Sequence, residues 1–292
     1  GRLLAGERVI LHYSIWSAVV PAALEGGGPL GVCYHNVTPG SLLRQHNPAL
    51  ADDCDRARGA LPGLRGRAVA LVADSAFNAA ELRDAGLGEV AVIPLLLDVG
   101  TPPDRDGEVT DSPLVLTVGR IAPNKRIEDV LKAFTLLQRH HAPGATLAVV
   151  GSDSGFERYR AALGRLVGRL GARGVTFTGP VSDAERDDLY ARAGAYVCMS
   201  EHEGFCAPLV EALAGGVPVV ARGAGAVPET LGGAGIIIEP DLLLAAEALR
   251  EVTSSAATRG LLRAAAERRL AELRPEAVRE RLRAALDPLL AA

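Results

Sequence analysis

Cysteine pairs, long apolar segments and an excess of positive charge are all missing from this sequence, and each absence excludes a class of protein. The four cysteines are scattered, without a CxxC pair or a histidine at zinc-ligand spacing, so we expect reduced thiols in a reducing compartment. No apolar run approaches the ~20 residues that span a bilayer, and we expect no signal peptide. The formal net charge of −4 leaves no basic footprint for nucleic acid. We therefore expect a cytoplasmic protein that does not bind nucleic acid.

Short apolar runs alternate with helical patterns along the whole chain. The runs that predict buried strands cover 8–14, 31–37, 68–75, 90–94, 114–119, 146–151, 174–179, 195–200, 217–221 and 234–238. The helical patterns cover 75–86, 127–141, 155–171, 183–193, 207–215, 241–252, 255–272 and 275–290. Continuous apolar strands that alternate with helices are typical of parallel sheets covered on both faces.

A polar, proline-rich segment separates two series of strands. TPPDRDGEVTDSP (101–113) predicts a linker between an N-terminal domain over 1–100 and a C-terminal domain over 114–272. The helix at the end of the chain, 273–292, is expected to pack back on the N-terminal domain. The predicted fold class is α/β, with two Rossmann-like parallel-sheet domains that face each other across a cleft.

Two glutamates, Glu203 and Glu211, flank a predicted turn into a helix within SEHEGFCAPLVEALAGG (200–216). Pro208 suits the first helical turn, so the preceding backbone N–H groups lie at a helix N-terminus, which favours a phosphate. Because a carboxylate repels phosphate, we interpret both acids as acceptors for hydroxyls on either side of a diphosphate, as in a nucleotide-sugar. The alternative is an exposed loop acid at Glu203 and a Glu211 that only complements the helix dipole.

Two cations follow another predicted strand, in LTVGRIAPNKRIEDVLKAF (116–134). Arg120 and Lys125 lie at the carboxyl end of this strand, where they could bind phosphate oxygens. Lys125 is one of only two lysines in the chain, which favours a position that requires an ammonium group. The alternative is a pair of solvated surface cations. The segment lacks the second glycine and the Ser or Thr of a P-loop, and no GxGxxG follows a strand, which disfavours a dinucleotide-dependent dehydrogenase.

Taken together, VGRIAPNKRIEDVLKAF and SEHEGFCAPLVEALAGGVPVVA resemble the donor-site motifs of retaining family 4 glycosyltransferases of the GT-B fold. The similarity runs from about residue 8 to the C-terminus. It implies transfer of a sugar from a nucleotide-diphosphate donor to a hydroxyl of a glycan, lipid-linked or small-molecule acceptor, as in polysaccharide biosynthesis. It also implies retention of configuration, with no cofactor and no metal ion.

The resemblance assigns roles to individual positions of this sequence. Arg120 and Lys125 would bind the donor diphosphate and neutralise the leaving group. Glu203 would hold hydroxyls of the donor sugar, Glu211 would bind the ribose, and His35 would face the transferred sugar. Backbone contacts are implied for Val181 with the base, for Phe205 and Cys206 with the sugar, and for Ala207 and Leu209 with the phosphates.

Two departures from the family pattern affect this interpretation. The family often has glycine where Cys206 stands, and we expect the thiol to narrow the pocket without acting as a nucleophile. The chain also opens partway through the expected acceptor domain, so we expect an N-terminally truncated piece whose acceptor-side domain is incomplete. The alternatives are a non-catalytic nucleotide-sugar-binding module, or a GT-B phosphorylase or epimerase.

Two further segments invite a functional interpretation. DDCD (52–55) resembles a metal-binding run of acids, but it reads as a solvated stretch of irregular structure. RARGALPGLRGR (56–67) is a candidate contact with anionic lipid or with a phosphate of the acceptor. A contact with lipid would place the protein peripherally at a membrane. Because this segment contains a proline and several glycines, we expect an exposed basic loop.

Overall fold

The computed structural model of the chain describes residues 6–98, 100–105 and 109–292. They divide into two compact units. The first contains the described residues of Gly1–Asp98 together with Glu203–Phe205 and Leu273–Ala292, and the second contains those of Val99–His202 and Cys206–Glu272. Part of the predicted linker, 106–108, and the first five residues of the predicted N-terminal domain lie outside the described residues.

Each unit contains a parallel β-sheet, which confirms the predicted α/β fold class. The first sheet has the strand order β1-β2-β3-β4, and the second has the order β10-β9-β8-β5-β6-β7. The strands of the first sheet are β1 (Val9–Tyr13), β2 (Leu30–Tyr34), β3 (Ala68–Ala73) and β4 (Ala91–Val92). Those of the second are β5 (Leu114–Val118), β6 (Thr146–Val150), β7 (Val175–Gly179), β8 (Ala193–Cys198), β9 (Val219–Arg222) and β10 (Ile236–Ile238).

Helices connect the strands in both units. They are α1 (Val19–Glu25), α2 (Pro48–Ala60), α3 (Ala76–Asp84), α4 (Ile127–His140), α5 (Glu157–Leu170), α6 (Asp183–Arg192), α7 (Ala207–Ala214), α8 (Val227–Leu231), α9 (Leu242–Ser254), α10 (Ala256–Glu272) and α11 (Pro275–Ala291). Helix α3, within the predicted range 75–86, is capped by Ser75, whose Oγ accepts a hydrogen bond from Asn78 N at 3.1 Å. Within the described residues, no helix is both long enough and apolar enough to span a bilayer.

The terminal helix α11 completes the core of the first unit. Its Val278 is fully buried and packs with Cys33, Val72 and Ile93, one from β2, one from β3 and one from the segment after β4. Gly31 of β2 permits a close approach, because a β-carbon there would lie 2.9 Å from a methyl group of Leu289. The last twenty residues of the chain therefore supply part of the apolar cover of the first sheet.

A buried arginine on α10 organises the second unit. Arg259 is 3% exposed, and its guanidinium donates hydrogen bonds to the carbonyls of Arg105, Gly194 and Val252 at 2.9 to 3.3 Å. Arg105 is also buried and donates to the carbonyl of Tyr190 at 3.1 Å. Buried backbone acceptors need such partners, so these two side chains fix the segment before β5 to β8, α9 and α10.

The expectation of irregular structure at 52–55 is wrong, because these residues lie in the middle of α2. Asn47 caps this helix by accepting from Leu50 N at 3.0 Å, and Pro48 occupies the first turn. Ala51, Cys54 and Ala57 recur at three-residue spacing and form its buried face. The acids of DDCD lie on this capped helix, between its buried positions.

The prediction of an exposed loop over 56–67 is also wrong in part. Its first residues end α2, and Leu61–Leu64 forms a 3-10 turn. The arginines of this segment are held by neighbouring groups of the first unit. Arg56 stacks on Trp16, Arg58 pairs with Glu81, Arg65 donates to Ala85 O, and Arg67 donates to Ala23 O. The helices α1 and α8 were not predicted, and they are only seven and five residues long.

Candidate functional site

The strand order of the second sheet contains one reversal that marks a candidate site. From β5 the chain adds β6 and β7 on one side, and then returns to place β8, β9 and β10 on the other side of β5. This is the order 3-2-1-4-5-6 of dinucleotide-binding folds, and it opens a crevice at the carboxyl ends of the first and fourth strands. Here those strands are β5 and β8, which pair in parallel through Leu116 and Tyr196.

The loops after β5 and β8 contact each other at this crevice. The carbonyl of Asn124, in the 3-10 turn Pro123–Lys125, accepts a hydrogen bond from Glu201 N at 2.9 Å. Lys125 follows Asn124 directly and is half-buried. Arg120 is exposed, donates to Ser154 O at 3.0 Å and stacks over the ring of Phe156 at 4.9 Å. Both predicted cations therefore lie on the loop that leaves β5 at the strand reversal.

Helix α7 begins on the chain that leaves β8, with its N-terminus after Cys206. Cys206 is a non-glycine residue in the left-handed region, with φ 69° and ψ 67°, and Pro208 lies in the first turn. The first N–H groups of a helix have no partner within the helix, so this end can bind an anion. Leu209 N already donates to Cys206 O at 3.0 Å, and Ala207 is the first helical residue.

Glu211 lies one turn inside α7 and is held by α6. Tyr190 donates a hydrogen bond from its hydroxyl to Glu211 Oε2 at 2.9 Å, and Arg186 Nε approaches the same oxygen at 3.9 Å. Burial, and next the negative charge of Glu211, raise the pKa of Tyr190, so its hydroxyl keeps its proton and acts as a donor. Both contacts use one carboxylate oxygen of a side chain that is 30% exposed.

The predicted site residues are distributed over the two units. Arg120, Lys125, Val181, Cys206, Ala207, Leu209 and Glu211 belong to the second unit, and His35, Glu203 and Phe205 to the first. Val181 lies between β7 and the capping box of α6, two strands away from β5. Glu203 and Phe205 are both buried, at 7% and 5% exposure. Between them, Gly204 O accepts a hydrogen bond from Ser75 Oγ at 2.7 Å.

His35 is placed at the carboxyl edge of the first sheet with both ring nitrogens engaged. Its Nδ1 lies 2.8 Å from Asp74 Oδ2, and its Nε2 lies 2.8 Å from His12 Nδ1. The rings of His12 and His35 are stacked, with centroids 5.1 Å apart and 7° between their planes. Burial, and next the negative charge of Asp74, raise the pKa of the Cys33 thiol nearby.

Four residues of these clusters were not identified from the sequence, namely His12, Asp74, Arg186 and Tyr190. His12 belongs to β1 and Asp74 directly follows β3, so each lies at the carboxyl edge of a parallel strand, as His35 does. That shared position was a usable signal for His12 and Asp74. No such signal identified Tyr190, because a tyrosine near the end of a helix is usually interpreted as a core residue.

Comparison with known proteins gives one family match. The model of the family described as "Glycosyl transferases group 1" matches residues 102–269, more than half of the chain. Over 133 residues, the chain is 37% identical to D-inositol 3-phosphate glycosyltransferase of Mycolicibacterium smegmatis, which covers 43% of this chain and 30% of that protein. The curated relatives are matched over only part of their length, from 24% for one to 41% for another.

Solved structures match over nearly the whole chain. Sucrose-phosphate synthase of Thermosynechococcus elongatus aligns with a TM-score of 0.77 at 23% identity, over 97% of this chain and 74% of that one. The HepE protein of Anabaena, in complex with UDP and glucose, aligns with a TM-score of 0.73 at 22% identity, over 92% of this chain and 74% of that one. At these identities the matches show that the fold is shared.

Proposed function

The chain belongs to the glycosyl transferases group 1 family, and from this premise we propose that it moves a sugar from a nucleotide-diphosphate donor to a hydroxyl acceptor. A glycosyltransferase among the relatives and a structural neighbour solved with UDP and glucose support a nucleotide-sugar donor. We extend the proposal to retention of configuration and to a reaction without a metal ion.

The observation that carries this proposal is the meeting of the β5 and β8 loops at the strand reversal of the second sheet. One loop brings Arg120 and Lys125, and the chain beyond the other begins α7. A pyrophosphate here would meet a guanidinium, an ammonium and the positive end of a helix dipole. These groups bind a diphosphate in the ground state, and they stabilise the additional negative charge that it gains when the sugar leaves.

Glu211 is suited to bind the ribose. Tyr190 and Arg186 both use Oε2, so within the described part of the chain Oε1 is the oxygen offered to a ribose hydroxyl. The hydrogen bond from Tyr190 also fixes the carboxylate in one orientation, which reduces the conformational entropy lost on binding. Glu203 would hold hydroxyls of the donor sugar, as in the family.

In the proposed reaction, the bond between the anomeric carbon and the diphosphate oxygen breaks, and the acceptor hydroxyl attacks from the same face. The proton of that hydroxyl passes to the departing phosphate oxygen, which leaves the nucleoside diphosphate and the new glycoside as products. Arg120, Lys125 and the N-terminus of α7 supply the positive charge that a metal ion provides in other transferases. Transfer should therefore continue in excess EDTA, and its complete loss would contradict the metal-free step.

Donor binding is tested most directly by calorimetry with UDP and GDP. Lys125→Ala should weaken binding of the preferred nucleotide by about 1–3 kcal/mol, the scale of a lost charged hydrogen bond. Lys132→Ala is the matched control, because Lys132 is the other lysine of the chain and pairs with Asp129 on α4. Equal affinities of the two variants would remove Lys125 from the site.

Product analysis with and without inorganic phosphate separates a transferase from a phosphorylase.

A further inference from the structure

Three side chains at the carboxyl edge of the first sheet form a continuous hydrogen-bonded chain. Asp74 contacts His35 Nδ1 through both carboxylate oxygens, at 2.8 and 3.1 Å, and His35 Nε2 contacts His12 Nδ1 at 2.8 Å. Asp74 is buried, the side chain of His35 is 26% exposed, and His12 is exposed. The chain therefore leads from a buried carboxylate to an imidazole at the surface.

With both imidazoles neutral, hydrogen-bond chemistry fixes which nitrogen donates along Asp74, His35 and His12. A carboxylate only accepts, so the proton of a neutral His35 must lie on Nδ1, which faces Asp74. The remaining nitrogen of His35, Nε2, is then an acceptor, and the bond to His12 exists only if His12 Nδ1 donates. A neutral His12 with its proton on Nδ1 has a bare Nε2. The exposed end of the chain is consequently a hydrogen-bond acceptor.

We propose that His12 binds a hydroxyl group of a sugar substrate through Nε2, and that Asp74 and His35 are positioning residues that hold His12 in this tautomer. The inference rests on the proposed function for the presence of a sugar. It assigns the substrate contact to His12, whereas the family resemblance assigns it to His35, whose two nitrogens are already engaged. The carboxyl edge of a parallel sheet is where α/β folds bind ligands. The hydroxyl belongs either to the donor sugar or to the acceptor.

The tautomer can be measured without any turnover. Free neutral histidine favours the Nε2–H form. A proton on Nδ1 of His12 is therefore a specific signature of the hydrogen bonds that link Asp74, His35 and His12. Long-range proton–nitrogen NMR of the full chain resolves the ring nitrogens of its six histidines, and His12→Phe identifies the relevant signals. We expect the Nδ1–H form at His12, and its change toward the Nε2–H form in His35→Phe. An Nε2–H form in the unmodified chain would overturn the proposal.

Substrate binding is tested with His12→Phe, which keeps a stacked ring on His35 and removes both nitrogens. Loss of one hydrogen bond should raise the KM for one sugar about tenfold, with a smaller effect on kcat. A rise in the donor KM identifies the donor sugar as the ligand, and a rise in the acceptor KM identifies the acceptor. The control is His140→Phe, an exposed histidine at the end of α4 in the second unit. Transfer with both KM values unchanged would refute the contact.

The failure of this inference can be distinguished from failure of the proposed function. If the chain transfers no sugar from any nucleotide donor, the proposed function is wrong, and the ring signals of His12 are followed while glucose or mannose is added. A shift at His12 that is absent for His140 supports a hydroxyl-binding site at His12. Identical behaviour of the two histidines rules that site out.

Discussion

Cys206 offers a direct test of the backbone geometry at the start of α7. It holds φ at 69°, in the region where a β-carbon crowds the following carbonyl, and the glycine common at this position in the family has no β-carbon. Cys206→Gly removes the β-carbon and the thiol together. Cys206→Ala removes the thiol alone and keeps the steric conflict, so the pair of variants separates the two contributions.

The expected magnitude follows from two opposing terms. A non-glycine residue in the left-handed region costs about 1–2 kcal/mol. Glycine loses more backbone entropy on folding, which offsets roughly 0.5–1 kcal/mol of that gain. The glycine variant should therefore exceed the alanine variant in free energy of unfolding by about 0.5–1 kcal/mol. For a domain of about 150–250 residues, 1 kcal/mol corresponds to roughly 2–4 °C in Tm.

Urea and thermal unfolding of the two variants measure this difference. Because the chain has two units, the transition is assigned to the second unit by its protection with a bound nucleoside diphosphate. An alanine variant as stable as the glycine variant, or more stable, would show that Cys206 is not strained. The family's glycine would then need an explanation in the ligand rather than in the backbone.

Three further predictions concern stability. Arg259→Leu should lower the free energy of unfolding by about 2–4 kcal/mol, because it leaves buried carbonyls without donors. Denaturant titrations measure this loss, and Arg268→Leu, at an exposed position of the same helix, is the control. Gly204→Ala should destabilise the first unit by about 1–3 kcal/mol, since the β-carbon of the alanine would clash with Cβ of Asn36. Unchanged hydrogen-exchange protection of this unit would contradict the clash. Burial raises the pKa of Tyr13 to about 12. The unfolded chain releases this proton first, so stability should fall as pH rises from about 10 to 12, by about 2–3 kcal/mol more than in Tyr13→Phe.

Local signals predicted most of the secondary structure. Ser75 begins α3 as expected, because its side chain satisfies a backbone N–H that no helical carbonyl can reach. Two of the predicted apolar runs form strands that are buried at every position, β2 and β8. The edge strands β1 and β7 instead expose alternate residues. The prediction failed at 52–55, where three aspartates obscured the three-residue spacing of Ala51, Cys54 and Ala57.

The candidate donor site was predictable only in its parts. Arg120, Lys125 and Glu211 were identified from motifs, and their positions along the chain fixed which strand or helix carries each of them. The sequence did not reveal that Glu211 would share one oxygen between Tyr190 and Arg186, because that arrangement depends on how α6 packs beside α7. Packing of this kind is decided by the shapes of many side chains at once.

By itself, the sequence determined the α/β class, the two series of strands and the residues that we propose to offer charge to a diphosphate. These properties follow from periodicity, helix caps and residue chemistry, all of which act over a few neighbouring positions. Only the tertiary structure decided that β8 returns beside β5, and that His12, His35 and Asp74 meet at one sheet edge although 62 residues separate the first from the last. Such contacts arise when strands distant in sequence choose their neighbours in a sheet, and that choice depends on the packing of the whole unit.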